Sequence, residues 1–398
     1  MEGPRSGSSF SDVRGNRRTW PQRLLLTLNI SLVICCLVAA GGLGWAYTQA
    51  SALPRIDVGA SLSPPPPPGD PQNILLVGLD DGMTLGAGDP VLQGRSATLN
   101  TDTIMILRVD PQNQQAALLS LPRDLYVDLA GGGKGRINSA LAIGGPERLI
   151  ETIKQDFDIP INHYAMVNFG GFESLVSAID GVPVYFPYGS RDQATGLFQY
   201  DPGCVTLAPD QALAYARSRH FEIYRPDLKV WQQDPTSDFG RITRQQQFIK
   251  AALRKAVSKG IRNPFVLKDL LGVAQKNVTL DTQFSIQDLV DLGSQFRSFD
   301  PESLATFTPV ATGTMVGAMS VLILDGPASQ PLFDVFRGTA PIPSDAAAGS
   351  TTTTAPNSTT TAGGGSPSTT GVTPTTQSIT TTTMSDFIPT APEGTSCG

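Results

Sequence analysis

Residues 24–47 read LLLTLNISLVICCLVAAGGLGWAY, 24 positions without a charge. A helix of about 20 apolar residues spans a bilayer, so this run divides the chain before any other feature is weighed. Arg5, Arg14, Arg17, Arg18 and Arg23 precede it, and no basic residue follows until Arg55. Positive charge stays on the cytoplasmic side, which places the N-terminus inside and everything after Tyr47 outside. Trp20 and Trp45 stand at the two ends, as interface anchors do. The competing reading is a cleaved signal peptide with Ala50-Ser51-Ala52 at the cut. The run is long for an apolar region of about 7–15 residues, so an uncleaved single-pass anchor in the cell membrane is the expectation.

The rest of the chain divides by composition. Residues 1–23 form a basic cytoplasmic tail. Residues 48–72, with SPPPPPGD at 63–70, read as a stiff polyproline spacer. A globular pattern runs over 73–343. Residues 344–384 are so rich in Thr, Ser and Gly that they have no core to bury and are expected to be disordered. A tail over 385–398 carries Phe387, Ile388 and Cys397.

Within 73–343, apolar runs and helical patterns alternate. Strands are expected at Asn73–Gly78, Thr103–Val109, Ala116–Leu121, Tyr164–Phe169, Val182–Phe186 and Ser320–Leu324. Helices are expected at Pro146–Phe157, Gly171–Ile179, Pro209–Arg217, from an Asp238 cap to about Lys259, and at Ser285–Phe296. The pattern predicts an α/β domain of three layers, a mixed central sheet covered by helices, behind one transmembrane helix.

Four cysteines without a C-x-x-C pair and two histidines, His163 and His220, leave little for a zinc site. A net charge of −6 argues against a nucleic-acid partner. Cys35 and Cys36 lie in the apolar run. Cys204 and Cys397 are then the pair available in an oxidising compartment, and a Cys204–Cys397 disulfide is expected to fold the tail back onto the domain. Free thiols or an intermolecular link are the alternatives.

Charge collects at the ends of elements. Asp80 follows the first strand and Asp102 opens the second; carboxylates at strand ends line the crevice where α/β sheets bind ligands, and two together suit Mg²⁺ or Mn²⁺. Arg123 ends a strand in Leu121-Pro122-Arg123-Asp124. Arg136 follows a glycine loop, and Arg217 and Arg219 leave a helix together. Arg241, Arg244 and Gln245 crowd the first turns of a helix, where an anion is welcome. The chain has 21 arginines to 8 lysines, the bias of a chain that grips phosphate bidentately. Each feature alone also reads as an ordinary turn, a local ion pair or a solvated basic face. Together they describe an outward-facing diphosphate site with a divalent metal. Phe172, Leu175, Phe248 and Ile249 are candidates for a slot taking an apolar chain.

In their order, NILLVGLD (73–80), TDTIMILRVD (101–110), LLSLPRDLYVDL (118–129), GRINSALAIGGPERLIETI (135–153), INHYAMVNFGGFESLVSAIDGVPV (161–184), LAPDQALAYARSRH (207–220) and SDFGRITRQQQFI (237–249) resemble the LytR-CpsA-Psr family of membrane-anchored wall-polymer ligases. The resemblance implies a phosphotransferase that takes a glycopolymer from a polyprenyl diphosphate donor and attaches it to a peptidoglycan acceptor. It implies Asp80 and Asp102 as metal carboxylates, and Arg123, Arg217, Arg219, Arg241 and Gln245 as the diphosphate clamp. Arg136 stands where the family usually carries Lys before Ile-Asn. Asn100 stands where the family often carries Arg, and Arg95 is the residue that reaches back in its place. A lipid pyrophosphatase and a non-catalytic wall-binding scaffold are the competing readings.

Overall fold

Ile74 and Leu76 face one side of a strand, and Leu75 and Val77 face the other; all four are packed in apolar clusters. A strand whose two faces are both apolar must be covered on both, and the sheet built around it is. In the computed structural model, the residues described are 54–80, 100–259, 278–284 and 298–343, with isolated positions 288, 292, 296, 387 and 397. The expected anchor over 24–47, Arg95, most of Ser285–Phe296 and residues 344–384 lie outside them. Among the described residues no helix is long and apolar enough to cross a membrane.

The chain runs β1 (Arg55–Ile56), β2 (Gln72–Asp80), β3 (Asn100–Asp110), β4 (Gln115–Leu121), β5 (Tyr126–Asp128), β6 (Lys134–Arg136), α1 (Ile137–Phe157), β7 (His163–Val167) and α2 (Phe169–Ala178). It continues with β8 (Val182–Phe186), β9 (Ser190–Asp192), β10 (Leu197–Gln199), β11 (Gly203–Leu207), α3 (Pro209–Arg217), β12 (Glu222–Arg225), β13 (Val230–Gln233) and α4 (Asp238–Ser258). It ends with β14 (Val278–Asp281), β15 (Ala305–Phe307), β16 (Ala311–Val316), β17 (Met319–Leu324) and α5 (Gly326–Arg337).

The main sheet has the order β1-β14-β7-β2-β3-β4-β15. It is mixed: β7 runs parallel to β2, and β2, β3 and β4 alternate antiparallel. Ile104, Ile106, Ala117 and Leu119 pack on one face with Ile150 and Ile153 of α1 and Phe333 and Phe336 of α5. Met105, Ala116 and Leu118 pack on the other face, with Ile249 of α4 against them. A second apolar cluster joins Val182, Val184, Phe186, Tyr215 and Phe248, and takes in Phe387 from the tail. Cys204 and Cys397 are bonded, with their Cα atoms 5.4 Å apart.

Several boundaries differ from the sequence reading. α1 begins at Ile137 and is interrupted at Gly144 and Gly145, whose backbone is non-helical; Pro146 then starts the second segment, where a proline is tolerated. β7 ends at Val167, because Asn168 accepts a hydrogen bond from the Gly171 amide (2.8 Å) and caps α2. Residues 55–72 do not stand off as a spacer. β1 adds to the sheet, Val58 and Leu62 are buried, and the Ser63 amide donates to the Ile161 carbonyl at 2.7 Å. Asp238 is not the cap of α4: Ser237 holds that place with φ +49° and no side-chain bond.

Candidate functional site

The C-terminal ends of β2, β4 and β7 and the start of β3 meet at one edge of the main sheet. The β2–β3 register slips there: Gly78 faces Thr103, but Leu79 faces Thr101. The residue left over is Asp102. A bulge of this kind re-aims a side chain, and it turns Asp102 toward the ends of α3 and α4. Asp80 and Asn100 pair two residues further on. Asp80 is placed by its backbone alone.

Around Asp102 the ion pairs alternate in sign. Arg123 pairs with its carboxylate directly. Arg219 Nη2 lies 4.0 Å from Asp102 Oδ1 and 3.2 Å from Asp238 Oδ1. Arg241 Nη2 lies 2.8 Å from that Asp238 oxygen and donates to the Asp102 carbonyl at 3.1 Å. On the far side, Asp124 joins Arg123 (3.6 Å) to Arg136 (3.5 Å), whose Nε donates to the Ser320 carbonyl. Arg217 places its guanidinium 4.6 Å from the centre of the Phe169 ring. Among the described residues, five arginines thus gather around three aspartates.

Burial pushes the Asp102 carboxyl upward, and the charges of Arg123, Arg241 and Arg219 outweigh it, holding the group below the ordinary carboxylate value. Asp102 is therefore a carboxylate at neutral pH. Burial also lowers Arg241, to about 10, against the pull of Asp238 and Asp102. It remains a cation.

The site borders an apolar cavity of about 360 Å³. Phe172, Leu175, Phe248 and Ile249 line it together with Leu76 and Leu213, and Asp102, Arg217 and Gln245 also face it. Gln245 donates to Thr103 Oγ1 (3.2 Å) and to the Ala216 carbonyl (2.8 Å), tying α4 to β3 and to the end of α3.

Arg244 does not belong to the clamp. It is 1% exposed, pairs with Asp234 at 2.6 Å and donates to the Ser218 carbonyl at 2.8 Å. One position from Gln245 turns it away from the crevice and into the turn that carries Arg217 and Arg219. Gly240 lets Asp234 and Thr236 close against the start of α4, since an added Cβ would sit on the Asp234 carboxylate. Asp192 of β9 holds the same turn, accepting from the Ser218 hydroxyl (2.7 Å) and the amides of Arg219 (3.0 Å) and His220 (2.9 Å).

In the sequence Asp234 and Asp192 read only as turn aspartates, accepting from Thr236 and Ala194 two positions on; the partners that matter to the site lie 10 residues and more away. Asp238 had a signal: an acidic residue in the first turn reads as a cap and is here a bridge between Arg219 and Arg241. The second Asp238 oxygen is buried without a hydrogen-bond partner. A hard cation takes oxygen ligands and completes its shell with substrate phosphate, so the carboxylates of this edge fit such an ion. Among the described residues no three His, Cys, Asp or Glu side chains cluster as a preformed metal cage.

A family model described as LytR_cpsA_psr family matches residues 55–334. The polyisoprenyl-teichoic acid–peptidoglycan teichoic acid transferase TagU of Bacillus cereus is 34% identical over 223 residues, 55% of this chain. The chain spans 64% of the length of that relative. TagU of Oceanobacillus iheyensis is 31% identical over 278 residues, 64% of this chain and 76% of its own length. The crystal structure of B. subtilis TagV matches with a TM-score of 0.53 at 23% identity, over 68% of this chain and 97% of that one, which shows the shared fold.

Proposed function

The chain belongs to the LytR_cpsA_psr family, and we propose that it is a phosphotransferase that moves a glycopolymer from a polyprenyl diphosphate carrier onto a peptidoglycan hydroxyl. The observation that carries this reading is the run of arginines around Asp102 at the border of an apolar cavity. A diphosphate bearing a lipid needs both, side by side: cations for the phosphates and an apolar slot for the chain.

The diphosphate lies against Arg123, Arg136, Arg217, Arg219 and Arg241, and the first prenyl units enter the cavity past Phe172 and Phe248. The acceptor oxygen forms a bond to the phosphorus that bears the glycopolymer. The bridging P–O bond breaks, polyprenyl phosphate leaves, and the hydroxyl proton passes to water. Phosphoryl transfer asks the protein mainly to position groups and to neutralise spreading charge, which this set of side chains does. Asp80 and Asp102 would hold Mg²⁺ or Mn²⁺, which would supply further charge neutralisation. Held low by three arginines, Asp102 is a ligand rather than a general base. Residues 24–47 anchor the protein in the cell membrane, which keeps the catalytic domain outside and next to its lipid-borne donor.

The test is transfer by the full chain, wild type against Asp102→Ala, with Mg²⁺ and with a chelator. The reading expects transfer only by the wild type with metal. Normal Mg²⁺-dependent transfer by Asp102→Ala overturns the metal assignment. Polymer binding that survives chelation with no covalent product points to a wall-binding scaffold.

A further inference from the structure

β9, β10, β12 and β13 form a small sheet of their own, in the order β10-β9-β12-β13. Its inner face carries Leu197 and Ile223, which are buried in the core. Its outer face is set by the register. Phe198 faces Arg191, Arg191 faces Glu222, and Tyr224 faces Trp231. Tyr200 follows β10 directly, its ring centroid 6.2 Å from Phe198 and 6.3 Å from Trp231. Trp231 is held by Tyr224 at 5.5 Å and by the Arg191 guanidinium at 4.1 Å.

Phe198 and Tyr200 are 47% and 61% exposed, so two large rings on a short sheet are left open to water. They are not an isolated apolar spot. Arg191 Nε donates to Glu222 Oε2 at 2.6 Å across the two central strands, β9 and β12. Rings alternating with polar groups suit a ligand with apolar faces and a hydroxyl rim. A pyranose has that shape: its C–H face stacks on an aromatic ring, and its hydroxyls bond to the side chains around it.

We propose that this sheet is a subsite for the acceptor glycan strand, stacking its sugars on Phe198 and Tyr200 over a base of Trp231 and Tyr224. The proposal rests on the transferase reading and names where the acceptor lies. Two observations favour the acceptor over other occupants. The sheet is tied to the clamp: Asp192, at the end of β9, holds the turn of Ser218, Arg219 and His220. Asp192 does this from the inner face, so the sheet adjoins the turn that carries Arg219, at one edge of the proposed diphosphate site. The outer ladder's cation, Arg191, is neutralised by Glu222, so the surface offers it neither to a polyanionic polymer nor to anionic lipid headgroups. An uncharged sugar backbone fits it better than either.

The experiment uses the full chain in detergent, wild type and the double variant Phe198→Ala/Tyr200→Ala, whose two side chains are too exposed to hold the fold. The probe is an uncharged β-1,4-linked N-acetylglucosamine oligomer, a glycan backbone without carboxylates. Binding is read by the fluorescence of Trp231, with Trp231→Phe as the control that loses the signal. Wild type binds, and the double variant binds about tenfold or more weakly. Its affinity for a soluble polyprenyl diphosphate analogue is unchanged, and in transfer assays its KM for glycan rises by a similar factor. Unchanged glycan binding or unchanged KM in the double variant overturns the subsite. So does a defect confined to co-sedimentation with phosphatidylglycerol vesicles, which makes the rings a membrane contact. If wild type binds glycan through these rings but forms no phosphodiester, the transferase reading falls and the sugar subsite remains.

Discussion

Replacing Arg241 by lysine keeps a cation and removes the fork. Arg241 is 2% exposed and uses Nη2 on both the Asp102 carbonyl (3.1 Å) and Asp238 (2.8 Å). A single ammonium, on a shorter reach, gives up at least one of these and the bidentate grip on phosphate. A hydrogen bond to a charged group is worth about 1.5–3 kcal/mol, which corresponds to roughly a 10- to 150-fold loss of transfer at pH 7. The structure adds a pH dependence. Burial takes the Arg241 guanidinium from 12.5 to about 10. Burial acts in the same direction on a lysine, which starts lower, near 10.4. The cationic form is lost as pH rises through the lowered value, so the variant keeps its residual activity at pH 6.5 and loses it toward pH 9. Wild type stays charged across that range. The assay is the variant-to-wild-type rate ratio at pH 6.5, 7.5, 8.5 and 9. A ratio near one at pH 7, or one that stays flat to pH 9, refutes the placement of Arg241 as a buried phosphate ligand.

Other perturbations separate structure from chemistry. Arg244→Leu leaves Asp234 buried and unpaired, and should cost about 3–5 kcal/mol in denaturant unfolding; Arg244→Leu/Asp234→Leu should be clearly less damaging, and equal losses would contradict the pairing. Leu175→Trp narrows the cavity and should raise KM about tenfold for a long prenyl carrier while leaving a short-chain diphosphate analogue unaffected, as judged by parallel steady-state assays. Cys397→Ser opens a loop spanning 193 residues and should lower stability by about 5 kcal/mol in the chain-entropy model, measured by unfolding with and without reductant; a reductant-insensitive wild type would contradict it.

Strands whose pattern is continuous and apolar were legible in the sequence. Asn73–Gly78, Thr103–Val109 and Ala116–Leu121 lie within β2, β3 and β4, and Pro209–Arg217 is α3 to the residue. Local periodicity determines such elements. The small sheet was not legible, because strands of three or four residues do not show a period. α5 was hidden by Pro327 and Pro331, which read as breakers although the first lies at a tolerated position in the opening turn. In the site, positions at strand ends pointed to Asp102 and Arg123, which the fold brings together as an ion pair. The division of labour between Arg241 and Arg244 was hidden, since three residues of helix do not reveal which side meets Asp234 and which meets Asp102. Asp192 acts through the Ser218 hydroxyl and the amides of Arg219 and His220, 26 to 28 positions away, a relation that only the folded chain creates.

In the proposed mechanism one site both grips the diphosphate and joins its glycopolymer to the wall. Full-length protein in detergent, incubated with Mg²⁺, a synthetic polyprenyl diphosphate donor and peptidoglycan glycan strands, tests it by mass spectrometry of the products. The expected product carries both glycans through one phosphodiester, with polyprenyl monophosphate released in equal amount. Polyprenyl monophosphate released alongside free phosphorylated glycopolymer, with no joined product, would contradict it and make the protein a pyrophosphatase.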